Sequence, residues 1–99
     1  MASERSANFT QWNANQSLLV RGWDDESVVY NVSSGDTHLL NAAATAVLRC
    51  LQDAPGDSAD LAARVATVLS IEVDHSLVAS VERILQDFSL LGIVKPTLH

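Results

Sequence analysis

The sequence predicts an α+β domain in which a three-stranded antiparallel sheet is followed by three helices, in the order βββααα. Three observations carry this. Apolar residues alternate with a period of two up to Leu40 and then recur at helical spacing from Ala44 onward. Clusters of turn formers, WDDE, SSGD and DAPGDS, punctuate the chain at short intervals. Near the end, Gly92 and Pro96 mark the stop of the last helix.

Residues 1–15 are polar without a sustained period and read as an N-terminal tail, whose Phe9 and Trp12 could pin it to the body. The domain proper is expected over 16–96. LLVRGW (18–23) is a strand, WDDE (23–26) its turn, and SVVYNVS (27–33) a second strand in which Val28, Tyr30 and Val32 share one face. After SSGD, THLL (37–40) forms a third strand, and turns this short force antiparallel neighbours.

Asn41 stands in an N-cap position ahead of an apolar stripe of Ala44, Val47, Leu48 and Leu51. Beyond the DAPGDS breaker, Leu61, Val65, Val68 and Leu69 mark a second helix capped by Asp57 or Ser58. A third, longer helix starts near Asp74 and turns Leu77, Val78, Val81, Ile84, Leu85, Phe88 and Leu91 inward, with Gly92 as its C-cap. The helices close a two-layer core on the sheet. The second and third, joined by SIEV, form a helix-turn-helix-like pair, so the whole is winged-helix-like.

Ninety-nine residues make one domain with one core, and 47% hydrophobic against 18% charged residues is ordinary globular composition. Twelve acids against six bases give a formal charge of −6, which repels phosphate backbones and anionic lipid headgroups alike. DNA binding by the helix pair is disfavoured on the same ground: residues 58–90 hold Asp60, Glu72, Asp74, Glu82 and Asp87 but only Arg64 and Arg83 as cations, and a duplex binder of this kind would lose affinity steeply with salt. No basic start leads into an apolar run, and no uncharged stretch is long enough to span a bilayer, so the expected location is the cytoplasm, away from membranes. The glycosylation-like triplets at Asn8, Asn15 and Asn31 carry no meaning without export.

No catalytic or cofactor constellation emerges. Ser34, Asp36 and His38 project in parallel from one strand and cannot build a relay in which base touches nucleophile and acid touches base. Cys50, His38, His75 and His99 lack metal-ligand spacing, and Cys50 falls between Leu48 and Leu51 where a thiol packs as a small hydrophobe. Gly22, Gly35 and Gly56 form no phosphate cradle. The chain is therefore read as a non-enzyme without cofactor or metal. Asp24–Asp25 and Asp57–Asp60 are turn and helix-start acids. Trp12 and Trp23 serve equally well as interface anchors or as lids on a small core.

Binding through the edge of the sheet survives this elimination. In a meander the strand 37–40 is an edge, and edges with vacant N–H and C=O groups accept another strand unless lysine or proline blunts them. From Gly35 to Asn41 there is neither, and only Asp36 and His38 are ionisable. A competing reading joins two such edges about a two-fold axis, giving a homodimer.

WDDESVVYNVSSGDTHLLNAAATAVLRCL, followed by a breaker, further helices and LLGIVKP, resembles the PqqD family, in particular the group found with kinase-like partners and called the HPr-rel-A system. The resemblance covers about residues 17–96. It rests on Val28–Tyr30, the Gly35–Asn41 run, Val47, Leu48 and Leu51, and Leu91-Gly92-Ile93-Val94. Where typical members place Asp-Gly and a Thr-Val step after the first helix, this chain has QDAPGDSADLA.

The resemblance implies a peptide chaperone, or recognition element, that captures the leader of a ribosomally made precursor and presents it to a modifying or kinase-like enzyme. The guest would add a strand along Asp36, Thr37, His38, Leu39 and Leu40. Its side chains would enter a groove walled by Val78, Ala79, Glu82 and Arg83 of the third helix.

Overall fold

The computed structural model describes residues 10–98. Phe9, Asn8 and His99 lie outside the described residues. The fold is α+β, and its central unit is the expected meander of β2 (Leu18–Trp23), β3 (Glu26–Asn31) and β4 (Thr37–Leu40), ordered β2-β3-β4 and antiparallel throughout. Three helices follow: α1 (Ala42–Asp53), α2 (Ser58–Leu69) and α3 (His75–Leu90). No helix among the described residues is long and apolar enough to cross a membrane.

Two further strands are absent from the sequence reading. Within the segment read as tail, β1 (Thr10–Ala14) pairs antiparallel with β5 (Val94–Leu98), closing a separate two-stranded ribbon. Trp12 is fixed on its other side as well, donating its N–H to the Gly56 carbonyl at 2.8 Å and accepting from Gly56 at 3.2 Å. Because the main chain of Trp12 is turned to Gly56, its pair with Pro96 across the ribbon exchanges no ladder bonds. Proline, which has no N–H to give, fits that position.

The helix ends follow from local chemistry. Asn41, Asp57 and Asp74 each cap a helix start, their side chains accepting from the N–H of Ala44, Asp60 and Leu77 respectively. At the end of α3, Gly92 takes a φ of 76°, and Gly92 and Ile93 donate to the carbonyls of Ser89 and Phe88. The same 6→1 and 5→2 closure ends α2, but there the left-handed residue is Ser70, with a φ of 58°. Arg64 ties the end of α1 to α2: its Nη1 donates to the carbonyls of Cys50 and Ala54, both at 2.9 Å.

One core joins sheet, helices and ribbon: Val29 and Leu40, Val47, Leu48 and Leu51, Leu61, Ala62 and Val65, Val81, Leu85 and Phe88, with Trp12, Ile93 and Val94 from the ribbon side. Two expectations are corrected. Val68 and Leu69 of α2 are exposed, because the buried face is completed by Ala62 and Ala66 instead. Leu91, expected inward, is also exposed, since α3 has already ended.

Candidate functional site at the edge of the sheet

The pleat of β3 sorts its residues sharply. Ser27, Val29 and Asn31 are buried against the helices, while Val28, Tyr30 and the following Val32 share the opposite face and look outward. Two polar residues can occupy the inner face because each has a partner. The hydroxyls of Ser27 and Thr45 meet at 2.8 Å, and Asn31 Nδ2 donates to the Gly92 carbonyl.

Asn31 also builds the turn that delivers β4. Its Oδ1 accepts from the N–H groups of Ser33 and Ser34, its carbonyl accepts from Gly35 at 2.7 Å, and its N–H donates to the Asp36 carbonyl at 2.8 Å. Gly35 adopts a φ of 80°, the left-handed conformation that glycine reaches without strain.

The Asn31–Asp36 bond also fixes the phase of the ladder. In an antiparallel pair hydrogen-bonded and non-bonded partners alternate, so Val29–His38 and Ser27–Leu40 exchange bonds whereas Tyr30–Thr37 and Val28–Leu39 do not. The N–H and C=O groups of Thr37 and Leu39 are therefore turned away from β3. Among the described residues, no strand pairs with this outer edge of β4.

The five residues expected to meet a guest strand thus have different circumstances. Asp36 is exposed in the turn; Thr37 and Leu39 combine outward peptide groups with exposed side chains, Leu39 at 75%. His38 faces the helix side, half-buried, with its Nε2 enclosed and without a partner. Leu40 is in the core, and its carbonyl accepts from Thr45 Oγ1. On α3, Val78 packs at the margin of the core, Glu82 is half-buried and accepts from Gln86 Nε2, and Ala79 and Arg83 are exposed. The sequence pattern grouped β4 residues by position; only the register separates the two whose main chain is vacant.

Besides a small crevice of about 170 Å³ where Asp25 meets α1 and the end of α2, larger concavities lie elsewhere, one of about 420 Å³ between the end of β1 and the end of α1 and one of about 440 Å³ on the outer face of the sheet. Neither is lined by a residue of β4 or α3. Among the described residues no three His, Cys, Asp or Glu side chains gather where they could hold a metal ion.

No family model matches the chain, and no curated protein does. Among solved structures, the fold is similar to that of TbiB1, solved in complex with the TbiA(beta) leader peptide, with a TM-score of 0.71 and 14% identity over 84% of this chain and 94% of that one. It is likewise similar to a lasso peptide synthetase B1 complexed with the leader peptide, with a TM-score of 0.68 and 20% identity over 86% of this chain and 98% of that one. At these identities the likeness establishes a shared fold across nearly the whole of each chain.

Proposed function

We propose that this protein is a non-enzymatic adaptor that takes up the leader segment of a precursor peptide as an added strand on β4 and presents it to a modifying enzyme. The observation that carries the reading is the vacant main chain of Thr37 and Leu39 on an edge that has no lysine or proline from Gly35 to Asn41. Two proteins of the same fold, each solved with a leader peptide, support it. The reading places the protein in the cytoplasm, and its client is the modifying or kinase-like enzyme that the PqqD resemblance implies.

Magnitudes require both backbone and side chains. Four ladder bonds contribute about 2–6 kcal/mol at roughly 0.5–1.5 each, short of the ~8 kcal/mol that micromolar binding needs. Two guest side chains buried beside Val78 and Glu82 add about 3–6 kcal/mol, and ordering the leader offsets about 2–5. The net is weak micromolar affinity, with sequence preference residing in the groove rather than in the ladder.

The test is titration of labelled leaders, taken from short precursor frames beside this gene, against wild type and Leu39→Pro. The Leu39 N–H is turned outward, so proline removes a donor offered to the guest while the β3–β4 bonds stay intact. Affinity is expected to fall at least tenfold with an unchanged circular dichroism spectrum; equal affinity refutes strand addition. A chain that sediments as a concentration-independent dimer and ignores every leader instead assigns the edge to self-pairing.

A further inference from the structure

The side of the sheet away from the helices is largely apolar, with Arg21, Glu26 and Thr37 as its polar members. Leu19, Trp23 and Leu39 are 63%, 57% and 75% exposed, Tyr30 is 39% exposed, and Val28 lies half-buried between them. The register sets Leu19, Tyr30 and Thr37 in one row across the sheet and Arg21, Val28 and Leu39 in the next. Between β2 and β3 this face forms the shallow concavity of about 440 Å³. Soluble monomers rarely expose a contiguous surface of this kind without a partner.

Shape and charge identify what fits. Three strands set the outer two about 10 Å apart, which is about the width of one helix. Six-residue strands are about 20 Å long, the length of roughly 13 helical residues. Acids stand at both ends of this lane: Asp24 and Glu26 at the β2–β3 turn, Glu26 paired with Trp23, and Asp36 at the β3–β4 turn, all exposed, whereas Asp25 lines a crevice on the helix side beside α1. Arg21 is the single cation among the residues lining the concavity, and its stem adds to the apolar floor. A second copy would bring like charges together at the ends, whereas lysines or arginines flanking an apolar stripe would meet acids there.

We infer that the outer face of β2-β3-β4 docks a basic amphipathic helix of a partner protein, which completes a helix–sheet–helix sandwich. This does not depend on strand addition, because Leu19 and Trp23 lie on β2, at the opposite side of the sheet from the β4 edge.

The probe is a labelled 14-residue helical peptide with a leucine stripe flanked by lysines, and the control is its counterpart with glutamates. The full chain is expected to bind the lysine peptide saturably at micromolar concentration and the glutamate peptide at least tenfold more weakly. Leu19→Thr/Trp23→Thr keeps every charge and is expected to weaken the lysine peptide at least tenfold, while leaving leader binding at β4 unchanged. Asp24→Asn/Glu26→Gln, both exposed and outside the core, is expected to weaken it severalfold. The inference is overturned if the Thr variant binds as wild type does, which reduces the attraction to net charge, or if both peptides bind alike. It is also overturned if the free chain is a dimer that the Thr variant dissolves, or if neither peptide binds.

Discussion

Trp12 and Gly56 exchange two main-chain hydrogen bonds, 2.8 and 3.2 Å long, and thereby sew β1 to the loop between α1 and α2. This arrangement commits the segment Thr10–Ala14 to the helical side of the molecule and to β5. The β4 edge is thus left without a partner strand among the described residues.

Trp12→Ala is expected to destabilise the domain by about 3–5 kcal/mol, because a fully packed aromatic leaves a cavity that the ribbon cannot fill. Urea unfolding gives the loss directly. At denaturant-free conditions and low temperature the variant should still bind a leader within about threefold of wild type, since β1 does not touch the edge.

Asn31→Ala removes the side chain that holds the N–H groups of Ser33 and Ser34 and reaches Gly92. A stability loss of about 1–3 kcal/mol is expected. Unlike the Trp12 change, this one loosens the turn before β4, so leader affinity should fall by about fivefold or more. Parallel chemical denaturation and peptide titration separate the two effects.

Ser70→Gly is expected to stabilise. The serine holds a left-handed backbone at the end of α2, a conformation that costs an L-residue about 1–2 kcal/mol, and glycine recovers part of it against the entropy of its own unfolded state. A net gain of about 0.5–1 kcal/mol, seen as a higher urea midpoint at unchanged slope, is the expected result.

Cys50 is almost wholly buried in α1. Burial pushes its thiol above the ordinary value of 9.0, Arg64 opposes the shift and Asp53 adds to it. The folded chain therefore holds this proton more tightly than the unfolded chain. Its contribution to stability is complete below about pH 9 and declines as pH rises through the raised value. Urea midpoints from about pH 8 to about pH 11 should show this decline and lose that component in Cys50→Ala. Thiol labelling of the native chain near pH 7 should be slow and limited by opening of the core.

Helix caps and core stripes were legible in the sequence because they are local: Asn41, Asp57 and Asp74 cap through bonds to residues three positions on, and Val47, Leu48 and Leu51 recur at helical spacing. The sheet was legible in its strand order but not in its facing, nor in the end of its middle strand, which stops at Asn31 rather than at residue 33 because Asn31 holds the turn. Alternation groups Val28 with Tyr30 and Val32, yet the less apolar set of Ser27, Val29 and Asn31 is the buried one. Its polar members find Thr45 and Gly92 only in three dimensions. The ribbon is not legible because TQWNA is polar and VKPTL contains a proline, and each strand is stabilised by a segment 80 to 88 residues away. For the candidate site, the bare edge could be read from composition, whereas the outward turn of Thr37 and Leu39 required the Asn31–Asp36 bond that sets the ladder's phase.

Thr10 and Leu98 stand opposite one another at the end of the ribbon, which brings the two ends of the described segment side by side. A short glycine-serine bridge across them, with new ends opened in the exposed Ser33–Ser34 turn, would create a circular permutant. That rewired molecule would keep every packed layer while making β4 the first element to emerge during synthesis.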